Sequence, residues 1–279
     1  MKIAWALALL GTLLAAKAPG LRSLEARSGG RLGVCVLDAG GRKLLEYRAR
    51  ERFPLCSTFK VLLAGAVLFR VDAGRAALDR RVPYGEKDLL AYAPVTRARA
   101  AEGALTLEEL CAASVQVSDN TAANLLLDTL GGPGAVTVFA RSLGDPVTRL
   151  DRKEPELNDV PPGDPRDTTT PEAMARTLRE LLAGKTLSPA SQRRLAGWMA
   201  TCTTGTHRLR AGFPASWQIQ DKTGSGFEKS GIANDIAVAI PQGGSPLYIA
   251  AYLTGAKGDA QARDAILEEV GRIVSKLPR

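Results

Sequence analysis

A serine and a lysine stand three positions apart at the start of a long apolar stretch, in the run Ser57-Thr58-Phe59-Lys60. Residues at i and i+3 share one face of a helix, so this spacing brings an amine beside a hydroxyl. An amine in that position can activate a serine nucleophile without a catalytic histidine. The alternative interpretation is an exposed helix start, with Ser57 as its N-cap and Lys60 in solvent.

The chain contains a single histidine, His207. A Ser-His-Asp hydrolase would depend on that residue alone. One histidine, with no C-x-x-C pair, also cannot complete a zinc site. We therefore expect His207 to be structural, and we expect neither a metal nor a cofactor.

Two further polar motifs could contribute to a site. Ser118-Asp119-Asn120 falls between two predicted helices, where a short turn can direct side chains into a cleft. The run 222–225, Lys-Thr-Gly-Ser, ends a predicted strand. Its glycine permits close approach of a ligand, and its lysine and hydroxyls could receive a carboxylate. The alternatives are an ordinary turn and an ordinary strand end.

The segment 149–169 is polar, rich in proline and without periodicity. A long irregular loop in a compact domain is usually functional. Within it, Glu154 and Asn158 are four residues apart and could hold a water molecule between a carboxylate and a carboxamide. The alternative is a solvated acidic loop.

Strand-like runs lie near both ends of the chain, and helical patterns lie between them. The runs predicted as strands are 32–38, 43–49, 217–223, 232–240 and 246–254. This order predicts an α+β fold: a five-stranded antiparallel sheet built from both chain ends, covered by the terminal helices 21–27 and 258–276. We expect 19–55 and 213–279 to form one subdomain and 56–212 an inserted helical one, with the active site between them.

Composition is that of a globular protein, with 45% hydrophobic and 24% charged residues among 279. The net charge is +8, and the lysine and arginine residues are scattered along the sequence, which favours a solvated surface over nucleic-acid binding. Met1-Lys2 and the apolar run 3–16 predict a secretory signal within 1–18, whose cleavage site the sequence does not fix. We expect an exported, periplasmic or secreted monomer with no membrane segment in its mature form.

The four cysteines are too few and too dispersed for a disulfide framework. Cys35 falls in a strand pattern and Cys111 in a helix pattern. Buried thiols are the expectation for those two.

Taken together, the motifs resemble those of the class A serine β-lactamases, for which S-x-x-K, S-D-N and K-T-G are an established signature. The order matches, and the intervals between Ser57, Ser118, Glu154 and Lys222 are 61, 36 and 68 residues. Flanking segments also look like the family's, so the resemblance covers about residues 21–276.

The resemblance implies hydrolysis of penicillins and cephalosporins through a serine acyl-enzyme. Ser57 would be the nucleophile, Lys60 its base or proton relay, and Ser118 the donor to the departing ring nitrogen. Glu154 would activate the deacylating water. The backbone N–H groups of Ser57 and Ser225 would form the oxyanion hole.

The resemblance also implies a set of substrate-binding side chains, which hold the carboxylate, the side-chain amide and the mouth of the cleft. They are Asn120, Asn158, Lys222, Thr223, Ser225, Arg210 and Tyr92. Four others would be structural: Asp119 orders its turn, Asn124 holds Glu154, and Arg152 pairs with Asp167 across the loop. In the family the Glu154-Pro155 bond is cis.

Family disulfides lack their partners here. Cys56 matches a cysteine whose partner position is Gly226, and Cys111 one whose partner position is Ala64. Cys202 stands where asparagine is frequent. The resemblance therefore implies no disulfide, and it leaves carbapenem hydrolysis open.

Other classes share parts of this pattern. A penicillin-binding D,D-peptidase has the serine, the lysine and K-T-G but lacks the arrangement of Glu154 and Asn158. A β-lactam sensor would also stall after acylation. Serine-lysine glutaminases share parts of the fold, but the whole motif set does not favour them.

Overall fold

The computed structural model describes residues 19–278, so the predicted signal within 1–18 lies outside the described part of the chain. Within 19–278 no helix has the length and apolarity needed to cross a membrane.

A five-stranded antiparallel sheet in the order β2-β1-β9-β8-β7 forms the centre of the protein. Its strands are β1 (Arg31–Leu37), β2 (Lys43–Tyr47), β7 (Gln218–Ser225), β8 (Ala233–Ile240) and β9 (Leu247–Thr254). Two small antiparallel pairs lie outside it, β3 (Phe53–Pro54) with β6 (Thr168–Thr169) and β4 (Arg81–Pro83) with β5 (Ala104–Thr106). The predicted fold class is confirmed, with strand boundaries within about two residues of those expected.

Nine α-helices fall within the described residues. They are α1 (Pro19–Ser28), α2 (Phe59–Asp72), α3 (Pro94–Ala98), α4 (Leu107–Gln116), α5 (Asn120–Leu130), α6 (Gly134–Ser142), α7 (Pro171–Ala183), α8 (Pro189–Ala200) and α9 (Ala260–Ser275). Three of these helices start at caps whose residue types favour that position. Thr106 and Glu109 form a capping box, and Thr170 and Ser188 cap helices that begin with proline.

Alternation along the strands separates two hydrophobic clusters, one on each face of the sheet. In β1, Val34 and Val36 join the cluster that contains α1 and α9 side chains, such as Leu21. Cys35 and Leu37 join the larger cluster that contains α2, α5 and α7 side chains. The terminal helices therefore cover one face, as predicted. The division of the chain at about 56 and 212 into subdomains stays a prediction.

The loop between α6 and α7 is irregular over most of 149–169, apart from a 3₁₀ helix, Glu156–Asn158, and strand β6. Arg152 and Asp167 form an ion pair across it, with Nε 2.6 Å from Oδ2. The Asp167 carboxylate also accepts the N–H groups of Asp151 and Arg152, while its carbonyl accepts the N–H of Leu55 at 2.8 Å. The loop is thereby fastened to the turn that precedes Ser57.

All four cysteines are buried free thiols. Cys35 and Cys111 are fully buried in the expected strand and helix. A Cβ at Gly226 would lie 2.5 Å from Ser230 Oγ, so the position matched to the partner of Cys56 is already crowded by its own loop.

Candidate active site

Ser57 lies in a 3₁₀ turn, Cys56–Thr58, that leads directly into α2. Thr58 secures this turn because its hydroxyl donates to the Leu55 carbonyl at 2.7 Å. The Ser57 side chain is only partly buried, and its Oγ lies 3.3 Å from Glu154 Oε1. The hydroxyl therefore reaches both solvent and a carboxylate.

Lys60, the second residue of α2, is fully buried. Its Nζ donates to the Ser118 carbonyl at 2.8 Å, to Asn120 Oδ1 at 2.6 Å and to Ser118 Oγ at 3.3 Å. It also lies 3.1 Å from Glu154 Oε1. Burial lowers the pKa of Lys60, and the Glu154 carboxylate opposes that shift. The solvated alternative for Lys60 is thus wrong.

Glu154 is held on both sides of its backbone by Asn124, which accepts from its N–H at 3.0 Å and donates to its carbonyl at 2.8 Å. The Glu154-Pro155 bond is cis. Asn158 Nδ2 donates to Glu154 Oε2 at 2.6 Å. The other carboxylate oxygen contacts both Ser57 and Lys60. One carboxylate therefore joins the loop to both the serine turn and the start of α2.

The turn at 118–120 is ordered by Asp119, which is fully buried. Its carboxylate caps α5 through the Ala122 N–H, and it accepts the N–H and the hydroxyl of Thr96. Ser118 adopts a left-handed φ of 61°. Its hydroxyl lies between two ammonium groups, 3.3 Å from Lys60 Nζ and 3.0 Å from Lys222 Nζ.

Strand β7 forms the wall that carries Lys222, Thr223 and Ser225. The Lys222 ammonium is fully buried and donates to Ser118 Oγ and to the Thr223 carbonyl. Burial lowers the pKa of Lys222 to about 8. A Cβ at Gly224 would lie 2.9 Å from the Leu55 carbonyl and 3.2 Å from the Ser57 nitrogen. Glycine at this position thus permits β7 to pack directly against the serine turn.

The cation beside Ser225 is Arg208. Its guanidinium donates to Ser225 Oγ at 2.8 Å and to the Gly224 carbonyl at 3.0 Å, and it pairs with Asp264 at 2.7 Å. Arg210 instead forms an ion pair with the buried carboxylate of Asp221. The structure therefore brings Arg208 to the site, while the predicted Arg210 pairs with Asp221 and is not among the residues that line the cavity.

These side chains line one cavity of about 340 Å³. Its lining consists of Ser57, Tyr92, Ser118, Asn120, Glu154, Asn158, Thr204, Arg208, Thr223 and Ser225. Tyr92 is 51% exposed, which suits a residue at the mouth. A larger cavity of about 520 Å³ lies elsewhere, around Arg52 and Pro161. It contains none of the candidate nucleophile, lysine or carboxylate residues.

Sequence reasoning missed Arg208 and Thr204. Arg208 is two residues from the predicted Arg210, and both belong to a region with no motif of its own. A basic residue in contact with β7 could have been expected, but not which of the two arginines. Thr204 hydrogen-bonds Thr223, and no pattern in the sequence links these two residues.

Comparison with known proteins gives one consistent result. The model of the Beta-lactamase enzyme family matches residues 18–277. Beta-lactamase L2 of Stenotrophomonas maltophilia is 48% identical over 256 residues, which is 91% of this chain and 84% of that protein. Beta-lactamase Toho-1 of Escherichia coli is 48% identical over 255 residues, which is 91% of this chain and 87% of that protein.

Solved structures agree. The reconstructed last common ancestor of class A β-lactamases from Gram-negative bacteria superposes with a TM-score of 0.90 at 58% identity, covering 93% of this chain and 98% of that one.

Proposed function

The chain belongs to the class A serine β-lactamases, and from that premise we propose how its own residues divide the work. The enzyme hydrolyses the β-lactam amide of penicillins and cephalosporins through a serine acyl-enzyme and so confers β-lactam resistance. Acylation, deacylation and substrate binding fall to different groups of side chains around the cavity.

Acylation starts at Ser57, whose hydroxyl attacks the β-lactam carbonyl. Its proton passes to the network formed by Glu154 Oε1 and Lys60 Nζ, since both Ser57 and Lys60 contact that oxygen. The lowered pKa of Lys60 supports its role as an acceptor of protons. Ser118, which is in contact with both buried lysines, returns a proton to the ring nitrogen as the C–N bond breaks.

The oxyanion is stabilised by the backbone N–H groups of Ser57 and Ser225. The close packing of β7 on the serine turn at Gly224 supports this pairing, because it fixes both N–H groups relative to each other before reaction. Donors that are already in place need no reorganisation as charge develops on the carbonyl oxygen.

Deacylation is the task of Glu154 and Asn158. Asn158 Nδ2 donates a hydrogen bond to Glu154 Oε2, while Asn158 Oδ1 is a buried acceptor with no hydrogen-bond partner among residues 19–278. A water molecule donating to Asn158 Oδ1 and to Glu154 would lie beside the ester carbonyl of Ser57. Glu154 then removes its proton as it attacks.

The substrate carboxylate binds against β7. Lys222 supplies a charge that no carboxylate among residues 19–278 contacts, Thr223 and Ser225 supply hydroxyls, and Arg208 holds the Ser225 hydroxyl. Asn120 contacts the substrate side-chain amide, and Tyr92 flanks the entrance. Arg210 does not contact the substrate in this proposal; its ion pair with Asp221 lies next to Lys222 in β7.

We further propose that the enzyme is exported and acts as a monomer in the periplasm or medium, without nucleic-acid partners. The signal-like sequence of 1–18 supports export, and the scattered basic residues support a solvated surface.

One observation carries the assignment: Ser57 Oγ and Lys60 Nζ both contact the same oxygen of a carboxylate that Asn158 also binds. The test is steady-state hydrolysis of one penicillin, one cephalosporin and one carbapenem, with intact-mass analysis during and after turnover. We expect repeated turnover of the first two, recovery of unmodified enzyme, and no hydrolysis by Ser57→Ala. A stoichiometric adduct that never clears would instead indicate a D,D-peptidase or a sensor.

A further inference from the structure

We infer that Cys202 is a positioning residue for the substrate carboxylate, acting through Thr204 on the hydroxyl of Thr223. This inference rests on the proposed role of Thr223 as a ligand of that carboxylate. Cys202 itself is buried, with 5% of its surface exposed, and it does not line the cavity.

A continuous line of hydrogen bonds joins these three side chains. Cys202 Sγ lies 3.3 Å from Thr204 Oγ1, and Thr204 Oγ1 lies 2.6 Å from Thr223 Oγ1. Thr204 and Thr223 both line the cavity, so the line runs from the protein interior to the surface that the substrate meets.

The direction of this line decides what Thr223 offers to a ligand. Each hydroxyl has one hydrogen to donate. If Thr204 donates to Thr223, the hydrogen of Thr223 is free to point at a carboxylate oxygen. If Thr223 donates to Thr204, Thr223 presents lone pairs only, which repel a carboxylate.

Cys202 biases this choice because its S–H can donate to Thr204 Oγ1. Thr204 then accepts from the thiol with one of its two lone pairs, which directs its own hydrogen away from the sulfur and toward Thr223 Oγ1 at 2.6 Å. The backbone that carries the thiol is held in place, since the Cys202 N–H donates to the Met199 carbonyl and the next N–H, that of Thr203, donates to the Gln116 carbonyl at 3.0 Å. As a result, the Thr223 hydroxyl is available as a donor before the substrate carboxylate arrives.

The test compares benzylpenicillin with its methyl ester, which lacks the charged carboxylate. Loss of one neutral hydrogen bond predicts that Cys202→Ala raises KM for the acid about three- to tenfold, with kcat little changed. For the ester the same variant should change kcat/KM by less than about twofold. Cys202→Ser, which restores a donor, should recover most of the preference for the acid.

Thr204→Val provides a second route to the same result, because it removes the relay at nearly constant shape. It should lower the acid-to-ester ratio of kcat/KM at least as much as Cys202→Ala. Cys111→Ala is the matched control, a buried thiol in the helical core, and it should leave the ratio unchanged.

The inference would be overturned if both Cys202→Ala and Thr204→Val left the acid-to-ester ratio of kcat/KM unchanged. This includes the case in which kcat/KM falls equally for the acid and the ester. Those outcomes leave the wild-type enzyme hydrolysing benzylpenicillin. Failure of the wild-type enzyme to hydrolyse any β-lactam would instead overturn the proposed function.

Discussion

Lys60 and Lys222 are both fully buried, and both contact the hydroxyl of Ser118, yet their surroundings differ in one respect. Lys60 lies against the Glu154 carboxylate. The side-chain hydrogen bonds of Lys222 within residues 19–278 go to neutral oxygens, those of Ser118 and Thr223. Burial lowers the pKa of each lysine, and only Lys60 has a carboxylate in contact to counter that effect.

Because of this difference, the two walls of the cleft have different tasks. We call the side with Lys60 and Glu154 the proton-transfer wall, and the side formed by Lys222 and Thr223 of β7 the binding wall. Around Lys60 the charges are balanced within the protein, which suits a network that moves protons between fixed groups. Around Lys222 the positive charge is not balanced by direct contact, which suits a site completed by the carboxylate of a substrate. A buried charge without a paired opposite charge is costly, so an anionic ligand gains more from binding there than at a solvated lysine.

The largest effect is expected on the proton-transfer wall, with Lys60→Ala. Removing the amine takes away both the base and the cation that orients Glu154, so acylation by benzylpenicillin should slow by about 10²- to 10⁴-fold. Stopped-flow acylation rates measure this directly. Near wild-type acylation in a folded Lys60→Ala enzyme would remove Lys60 from the mechanism.

On the binding wall, Lys222→Ala should act mainly on substrate affinity. Loss of a charge-assisted hydrogen bond predicts a rise in KM of about 10- to 100-fold for a substrate with a free carboxylate. Lys229→Ala is the control, an exposed lysine seven residues away, and it should have little effect. If Lys222→Ala lowered kcat and left KM unchanged, the separation of tasks between the walls would be wrong.

Alkaline pH should disable the binding wall as Lys222 loses its proton. The ammonium, with its pKa of about 8, is charged below that pH and neutral above it. The kcat/KM of benzylpenicillin should therefore fall on the alkaline side of pH 8, by about tenfold per unit once titration dominates. Lys222→Ala should lack this limb of the profile. A limb unchanged in that variant would assign the titration to another group.

A smaller effect is expected from Asn124→Ala, which removes both hydrogen bonds that hold the backbone of Glu154. Two net hydrogen bonds predict destabilisation by about 1–3 kcal/mol, together with slower deacylation as Glu154 loses its position. Thermal unfolding and pre-steady-state kinetics report the two effects.

The control for that variant lies on the same helix. Asp128→Ala breaks an exposed ion pair with Lys153, next to Glu154, and should cost less than about 1 kcal/mol. If the two variants changed stability and deacylation equally, the hydrogen bonds of Asn124 would not be what positions Glu154.

The sequence was most informative where a local rule or a family motif applied. The α5 helix begins at Asn120 and ends at Leu130 because Asp119 caps it and Gly131 ends it in a left-handed conformation, and both residue types are typical of those positions. The strands followed from their apolar runs, since β1, β8 and β9 lie in the middle of the sheet and are buried on both faces.

Contacts between distant segments could not be predicted in this way. Arg208 and Arg210 are chemically the same, yet Arg208, just before the 3₁₀ helix Leu209–Gly212, reaches Ser225, while Arg210, within that helix, reaches Asp221. The hydrogen bond between Thr204 and Thr223 likewise joins residues 19 positions apart. Such pairs depend on how the elements pack.

The most direct test of the account is the fate of the ester on Ser57 when Glu154 is replaced by glutamine. Glu154→Gln keeps the shape and the contacts to Asn158 but removes the base, so benzylpenicillin should still acylate Ser57 while hydrolysis of the ester slows by about 10²- to 10⁴-fold. Intact-mass spectra should then show a lasting adduct of one penicillin per enzyme. Free enzyme with undiminished turnover in that variant would contradict the role given to Glu154 and, with it, the division between the two walls.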